Sequence, residues 1–246
     1  MAPVTLPFAG LSRLWQQMKL PGGVSPQELG LLFKSITSKR RPKALPPING
    51  DFYDILDTLT PEERAMQQAI RSYMEQRVRP VVGSYWERGE FPHELVPSFA
   101  AVIKETFGTR PYSLSSLGPV LTGIAAMEMA RVDASIYTFF GVHWGLAMGS
   151  IYMFGSDEQR ARWLPAMERF ERIGTWSLTE PEVGSATAAG LLPTARRDDQ
   201  GWVINGSKKW CGNAPMADLN VVFARDVADN QVKGFVVERG TPGYHV

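Results

Sequence analysis

The sequence predicts an α+β protein: an all-α helical region first, then an incomplete antiparallel, β-barrel-like region. Two textures carry that expectation. From Thr60 to about residue 173, apolar residues recur at helical spacing between capping and breaker signals. From Gly174 onward the apolar runs are short, rich in β-branched residues and bounded by turn residues, as in "LNVVFAR" and "GFVVER". The composition agrees, since 44% hydrophobic and 21% charged residues fit a globular chain with a sizeable core. The expected division is a poorly ordered leader over 1–50, a helical domain over 51–173 and a partial β domain over 174–246.

The leader holds "LPGG", "KRRPK" and "LPPING", all turn or breaker signals. Arg13, Lys19, Lys34, Lys39, Arg40, Arg41 and Lys43 make it basic, and its first acidic residue is Glu28. Its charge resembles that of a transit peptide; a flexible tail with a short helix over Gln27–Ser35 fits equally well.

The helical domain opens at "TPEE", which places Thr60 as N-cap, Pro61 at the first helical position and Glu63 at the capping-box position. Ala65, Met66, Ala69, Ile70, Tyr73, Met74 and Val78 form one apolar stripe, predicted to end before Pro80. Helices follow over 94–107 and 119–131. Asp133 is predicted to cap a fourth helix running to about Phe154. Ser156 is predicted to cap a fifth, paired with Gln159 and broken by Pro165. Glu128 and Asp133 read as solvated or capping residues. In the β region a strand over 175–179 should stop at Glu180-Pro181, because proline cannot continue a ladder. Asn205-Gly206 in "WVING" is a hairpin signal.

Several function classes recede at this point. A net charge of +1 offers no nucleic-acid surface. No apolar run reaches the roughly 18 residues of a membrane helix, and the longest candidate, 134–154, is interrupted by His143 and by Gly and Ser. The single Cys211 excludes a disulfide framework, and His93, His143 and His245 share no ligand spacing, so no metal is expected.

The chemistry concentrates in "GTWSLTEPEVGSATAAG", residues 174–190, and "INGSKKWCGNAPMADL", residues 204–219. Gly184 lets backbone N–H groups approach an anion, and the Ser185 hydroxyl adds a donor. Thr179 offers a hydroxyl at a strand end, while Trp176 and Trp210 offer flat aromatic surface. A planar, hydrogen-bonding cofactor with a pyrophosphate suits this set. An ordinary β-domain rim with core tryptophans suits it too.

"WSLTEPEVGS" and "NGSKKWCGN" resemble, in order and spacing, the two signatures of the acyl-CoA dehydrogenase and acyl-CoA oxidase family. "LTPEER", "ARVDAS", "FGSDEQRARWLPAM", "PMADLNVVFAR" and "GFVVERGTPG" agree, so the resemblance covers residues 51–246. It is nearest to the plant-type short-chain acyl-CoA oxidases and glutaryl-CoA dehydrogenases. The resemblance implies FAD held between a helical domain, a middle β domain and a C-terminal helical bundle. It assigns Trp176, Ser177, Leu178, Thr179, Gly184 and Ser185 to one wall of the flavin site, and Trp210, Cys211 and Gly212 to a second. It sets Tyr137, Thr138 and Ser185 beside an acyl-CoA substrate. The implied reaction is α,β-desaturation of a short- to medium-chain acyl-CoA in fatty-acid β-oxidation, in the peroxisome or alternatively the mitochondrion. The family's glutamate base and its bundle have no counterpart in this sequence. No catalytic residue is therefore assigned, and the chain alone is expected to be inactive and to bind FAD weakly or not at all. A homo-oligomer is implied, or a partner chain covering the β domain. The alternative is a non-catalytic scaffold or binding module descended from the same family.

Four departures sharpen these expectations. Ala186 stands where the family has Asp, which removes a side-chain acceptor from that loop. Gly212 stands where dehydrogenases usually have Thr, as in the plant-type oxidases, and the lost hydroxyl would alter the flavin N5 side. Tyr137 stands where glutaryl-CoA dehydrogenases have Arg, so a second carboxylate would lack its partner. "ETFGTRPYSLSSLG" replaces a Gly-rich connection between helices.

Overall fold

The structure is a computed structural model, and it describes residues 51–107, 118–184 and 190–246. The expectations placed on the leader, on the 108–117 stretch and on Ser185 and Ala186 lie outside the described residues.

A short 3-10 turn, Ile55–Thr58, precedes helix α1, Pro61–Tyr73. The capping box is in place: Glu63 N–H donates to the Thr60 hydroxyl at 3.2 Å, and Thr60 N–H donates to the Glu63 carboxylate at 2.9 Å. The expected stop before Pro80 does not occur. The chain widens into a π segment, Met74–Val78, and continues as α2, Arg79–Arg88. Arg79 N–H reaches back to the Met74 carbonyl, so the wider turn shifts the ladder just before a residue with no N–H to give. Met74 and Val78 are both buried, so packing favours continuing the helix over ending it.

Helices α3, Leu95–Phe107, and α4, Pro119–Ala130, follow. Asp133 caps α5, Ala134–Phe140, accepting from Ile136 N–H at 2.9 Å. A second π segment, Gly141–Met148, joins α5 to α6, Gly149–Phe154, and the three make one rod ending at Phe154 as expected. Helix α7, Asp157–Glu168, starts at the Ser156–Gln159 capping box. Pro165 does not break it. Trp163, Leu164 and Met167 are buried on this helix and carry it past the lost hydrogen bond for its last turn.

The helical core is aromatic. Phe99 meets Phe140 edge-on with ring centres 5.3 Å apart, Phe140 lies 5.2 Å from Trp144, and Phe170 closes the cluster. Glu128 corrects the expectation that it is solvated. Its carboxylate is fully buried and accepts from Gln67 Nε2 at 2.7 Å, Arg71 Nε at 2.8 Å and Arg71 Nη2 at 2.5 Å. A buried carboxylate persists only with partners of this kind, and here they join α1 to α4. No helix among the described residues is long and apolar enough to cross a membrane.

The β region is one sheet built around β4, Leu219–Asp226. β5, Val232–Glu238, runs antiparallel along it from Leu219↔Glu238 to Arg225↔Val232. β1, Gly174–Ser177, and β2, Thr194–Asp198, both pair with β4 in parallel, and β3, Gly201–Asn205, pairs antiparallel with β2. The sheet is therefore mixed, where an antiparallel one was expected. β1 stops at Ser177, short of Thr179, because its pairing with β4 ends at Val222. The β2–β3 hairpin turns at Asp199-Gln200, where Gln200 N–H donates to the Asp198 carboxylate at 2.9 Å. The expected turn at Asn205-Gly206 is the end of β3 instead. Gly206 has φ 144° there, and a Cβ would fall 2.6 Å from Pro193 Cβ, so this glycine serves a close contact.

The pairing has one consequence for the loop after β1. β1 pairs with β4 as far as Val222, and β2 rejoins β4 at Arg225. Residues 178–184 thus leave the sheet, and residues 190–193 lead back to it, across a gap spanned on β4 by only Phe223 and Ala224.

Candidate functional site

The rod from α5 to α6 and strand β1 meet along a seam of buried polar contacts. Gly174 N–H donates to His143 Nδ1 at 2.9 Å, and His143 Nε2 sits 3.0 Å from the Met167 carbonyl. Nδ1 must accept, so Nε2 carries the hydrogen and the imidazole is neutral. Burial pushes its pKa down to about 4 from the ordinary 6.5. Asn213, at φ 65°, donates its side-chain amide to the carbonyls of Phe139 at 2.9 Å and Gly174 at 3.3 Å. The Thr175 hydroxyl donates to the Gly212 carbonyl at 2.5 Å, and Trp176 Nε1 donates to the Ser150 hydroxyl at 3.1 Å. Ser177 Oγ donates to Asn220 Oδ1 at 2.7 Å.

These contacts align the two conspicuous segments side by side. At one end Thr175 holds Gly212. At the other, Lys209 N–H donates to the Thr179 carbonyl at 2.8 Å. Lys208 Nζ donates to the Leu178 carbonyl at 3.0 Å and to Glu180 Oε1 at 2.7 Å. Between these ends Trp210 stands 82% exposed at φ 59°, with the Lys209 ammonium 4.6 Å above its ring centre. Among the described residues the half-buried Thr179 hydroxyl makes no hydrogen bond. The Cys211 thiol lies beside them, 3.6 Å from the Lys209 carbonyl.

Trp176 and Ser177 are nearby but committed to the fold, Trp176 also packing edge-on against Phe223. Gly184 is exposed, in the stretch that follows β1. Of the residues expected beside a substrate, Tyr137 is half-buried and Thr138 is exposed, its hydroxyl bonded to the Ala134 carbonyl at 2.8 Å. Val142, one turn on, links them to the second segment, because a Cβ on Gly212 would fall 2.9 Å from Val142 Cγ2.

The arrangement offers an exposed indole plane, an uncommitted hydroxyl and an adjoining helical rod, which suits a planar ligand with polar edges. Two of its acids are engaged: Glu180 is paired with Lys208, and Asp218 accepts from Ile173 N–H at 2.7 Å. A half-open apolar recess of about 10 Å³ lies between Tyr73, Val78, Phe91 and Phe139, with room for about one water.

Residues 60–171 match the acyl-CoA dehydrogenase N-terminal domain, and residues 175–246 match the acyl-CoA dehydrogenase middle domain. The chain belongs to the acyl-CoA dehydrogenase family. It is 32% identical over 191 residues to benzylmalonyl-CoA dehydrogenase of Aromatoleum aromaticum, covering 76% of this chain and 50% of that protein. It is 27% identical over 198 residues to an acyl-CoA dehydrogenase of Bacillus subtilis, again covering 76% and 50%. Among solved structures, a glutaryl-CoA dehydrogenase from Mycobacterium smegmatis in complex with FADH2 superposes with a TM-score of 0.72 at 34% identity, covering 78% of this chain and 49% of that one. The chain spans about half the length of these relatives.

The acyl-CoA dehydrogenase N-terminal match contains α1 to α7, and the middle-domain match contains both segments of the wall. Sequence reasoning did not find His143, Ser150, Asn213 or Lys208 as the groups that hold the wall in place. One signal was available: a histidine inside an otherwise apolar helical run needs partners for both ring nitrogens.

Proposed function

We propose that this chain forms the helical and middle-domain part of an FAD-dependent enzyme that desaturates an acyl-CoA between its α and β carbons. The observation that carries this reading is the pairing of Trp210 and Thr179 on one wall, an exposed plane beside an uncommitted hydroxyl. On this reading the FAD ring lies against Trp210, with Thr179, Leu178, Cys211 and Gly212 around its polar edge. Bound FAD would supply the acceptor for the hydride from the β carbon. The chain's own residues bind and orient. Thr175 and Asn213 fix the backbone at Gly212, and Lys209 fixes that at Thr179. Tyr137 and Thr138 face the acyl side.

The finer reading is an oxidase acting on short to medium monocarboxylic acyl-CoA. Gly212 supports the oxidase side by omitting the hydroxyl that dehydrogenases usually place there. Tyr137 supports a monocarboxylic substrate by omitting the cation a second carboxylate would need. Removal of the α proton is assigned to no described residue; Glu180 and Asp218 are already partnered.

The test is a titration of the 246-residue chain with FAD, followed by tryptophan fluorescence. A weak but saturable quench that disappears in Trp210→Ala is expected. A linear, non-saturating response identical in both proteins would overturn the reading. Equilibrium dialysis with FAD present should then retain butyryl-CoA or octanoyl-CoA in preference to glutaryl-CoA; preference for glutaryl-CoA would refute the substrate assignment.

A further inference from the structure

Glu180 and Lys208 form the most enclosed ion pair of the β region. Their side chains are 1% and 10% exposed, and Nζ lies 2.7 Å from Oε1. Their position in the topology is specific. The outgoing foot, residues 178–184, leaves β4 after Val222, and the returning foot, residues 190–193, rejoins it at Arg225, so the two feet lie close together where they meet the sheet. Glu180 sits on the outgoing foot, and its second oxygen, Oε2, accepts from the N–H of Leu192 on the returning foot at 2.9 Å. Lys208 comes from the segment that leads to Trp210, and besides Glu180 it donates to the Leu178 carbonyl at 3.0 Å. Next to it, Lys209 N–H donates to the Thr179 carbonyl. The returning foot is held a second time by Arg225, whose guanidinium donates to the Leu191 carbonyl at 2.9 Å and whose N–H donates to the Pro193 carbonyl at 2.9 Å.

We infer that Glu180 and Lys208 are a positioning pair: a latch between the outgoing and returning feet that sets Thr179 against Trp210. Each end of the pair does a separate job. Glu180 ties foot to foot through Leu192. Lys208 ties the outgoing foot to the Trp210 segment through Leu178. Hydrophobic packing alone would hold these segments near one another without fixing their register. The hydrogen bonds fix it because each ends on a backbone atom of a named residue. A buried pair of this kind is weak evidence for stability, since apolar replacements are often neutral, whereas fixing one arrangement is a role such pairs can fill. The consequence for a flavin rests on the function proposed above; the latch itself does not.

The experiment compares the parent chain, Lys208→Arg and the double variant Glu180→Met/Lys208→Met. The double substitution removes both charges together, so neither is left buried alone. Amide hydrogen exchange is read at Leu192 and Lys209, with Val221 and Val222 in β4 as internal references. In the double variant, exchange at Leu192 and Lys209 should accelerate about tenfold or more while Val221 and Val222 stay unchanged. Lys208→Arg, which keeps a charged donor, should restore most of the protection. Unchanged exchange at Leu192 and Lys209 would overturn the latch. So would equal acceleration at Val221 and Val222, which would make the pair a general support of the sheet. FAD titration of the same proteins separates the two claims. If the parent binds FAD, the double variant should bind about tenfold more weakly. Selective acceleration in the double variant, with no saturable FAD response in the parent, would support the latch and refute the flavin reading.

Discussion

The seam between the rod and β1 and the wall formed by Thr179 and Trp210 lie within a few residues of each other, yet they treat their polar and aromatic groups in opposite ways. At the seam, both nitrogens of His143, the amide of Asn213 and the hydroxyl of Thr175 are hydrogen-bonded and out of solvent. On the wall, a tryptophan ring faces outward and the threonine hydroxyl is uncommitted among the described residues. A protein leaves a large aromatic exposed at the cost of unburied apolar area. The seam's hydrogen bonds hold strand to rod, and on the function proposed above the wall holds the ligand.

The largest effect should come from crowding the seam. At Gly174 a Cβ would fall 2.6 Å from Ala147 Cβ and 2.7 Å from Met167 Cε. Gly174→Val should therefore cost about 3–4 kcal/mol, at the upper end for overpacking, because the strand would have to lift off the rod. A urea melt showing less than about 1 kcal/mol lost would mean the seam is softer than its contacts indicate.

A comparable loss should appear on acidification. The imidazole of His143 titrates near 6.5 when unfolded and near 4 when buried, so the unfolded chain takes up the proton first. Its neutral form therefore favours folding fully above pH 6.5. That contribution declines as pH falls and is gone by about pH 4, a loss of about 3 kcal/mol at 1.36 kcal/mol per pKa unit. Protonation would also put a hydrogen on Nδ1, where Gly174 N–H now donates. His143→Gln should flatten the stability–pH curve across that window. An equally steep curve in the variant would assign the acid sensitivity elsewhere.

Gly212→Thr lies where seam and wall join. The change would add the hydroxyl that dehydrogenases usually have there. In the structure the new Cβ would press on Val142 Cγ2, and Thr175 already uses the Gly212 carbonyl. A loss of about 1–2 kcal/mol is expected, measured by thermal melting. A melting point equal to the parent's would show that Val142 yields freely.

What was legible in the sequence was what local rules decide. The Thr60–Glu63 box, the Asp133 cap and the Ser156–Gln159 box were readable because each is a short-range exchange of hydrogen bonds. The order of helices then strands was readable from periodicity. Continuation through Pro80 and Pro165 was not, because burial of Met74, Val78, Trp163 and Leu164 outweighs one missing N–H. The hairpin at Asp199-Gln200 was missed because Asn205-Gly206 carries the stronger turn signal, while Gly206 in fact answers to Pro193. The two wall segments were visible as motifs. Their fastening through His143, Asn213, Glu180 and Lys208 was not, since those bonds join residues far apart in the chain.

The smallest stability effect is expected at Trp210, and there the central claim is tested most directly. A buried tryptophan truncated to alanine costs about 3–5 kcal/mol. Trp210 is exposed, so Trp210→Ala should change stability by less than about 0.5 kcal/mol. If the ring is a ligand-binding plane, FAD should raise the parent's melting temperature, because ligand stabilisation grows as RT ln(1 + [L]/Kd). The measurement is the melting temperature of parent and Trp210→Ala with and without saturating FAD. The account predicts equal melting without FAD and an FAD-dependent rise in the parent alone. Equal rises in both proteins, or a large loss in Trp210→Ala before FAD is added, would contradict it.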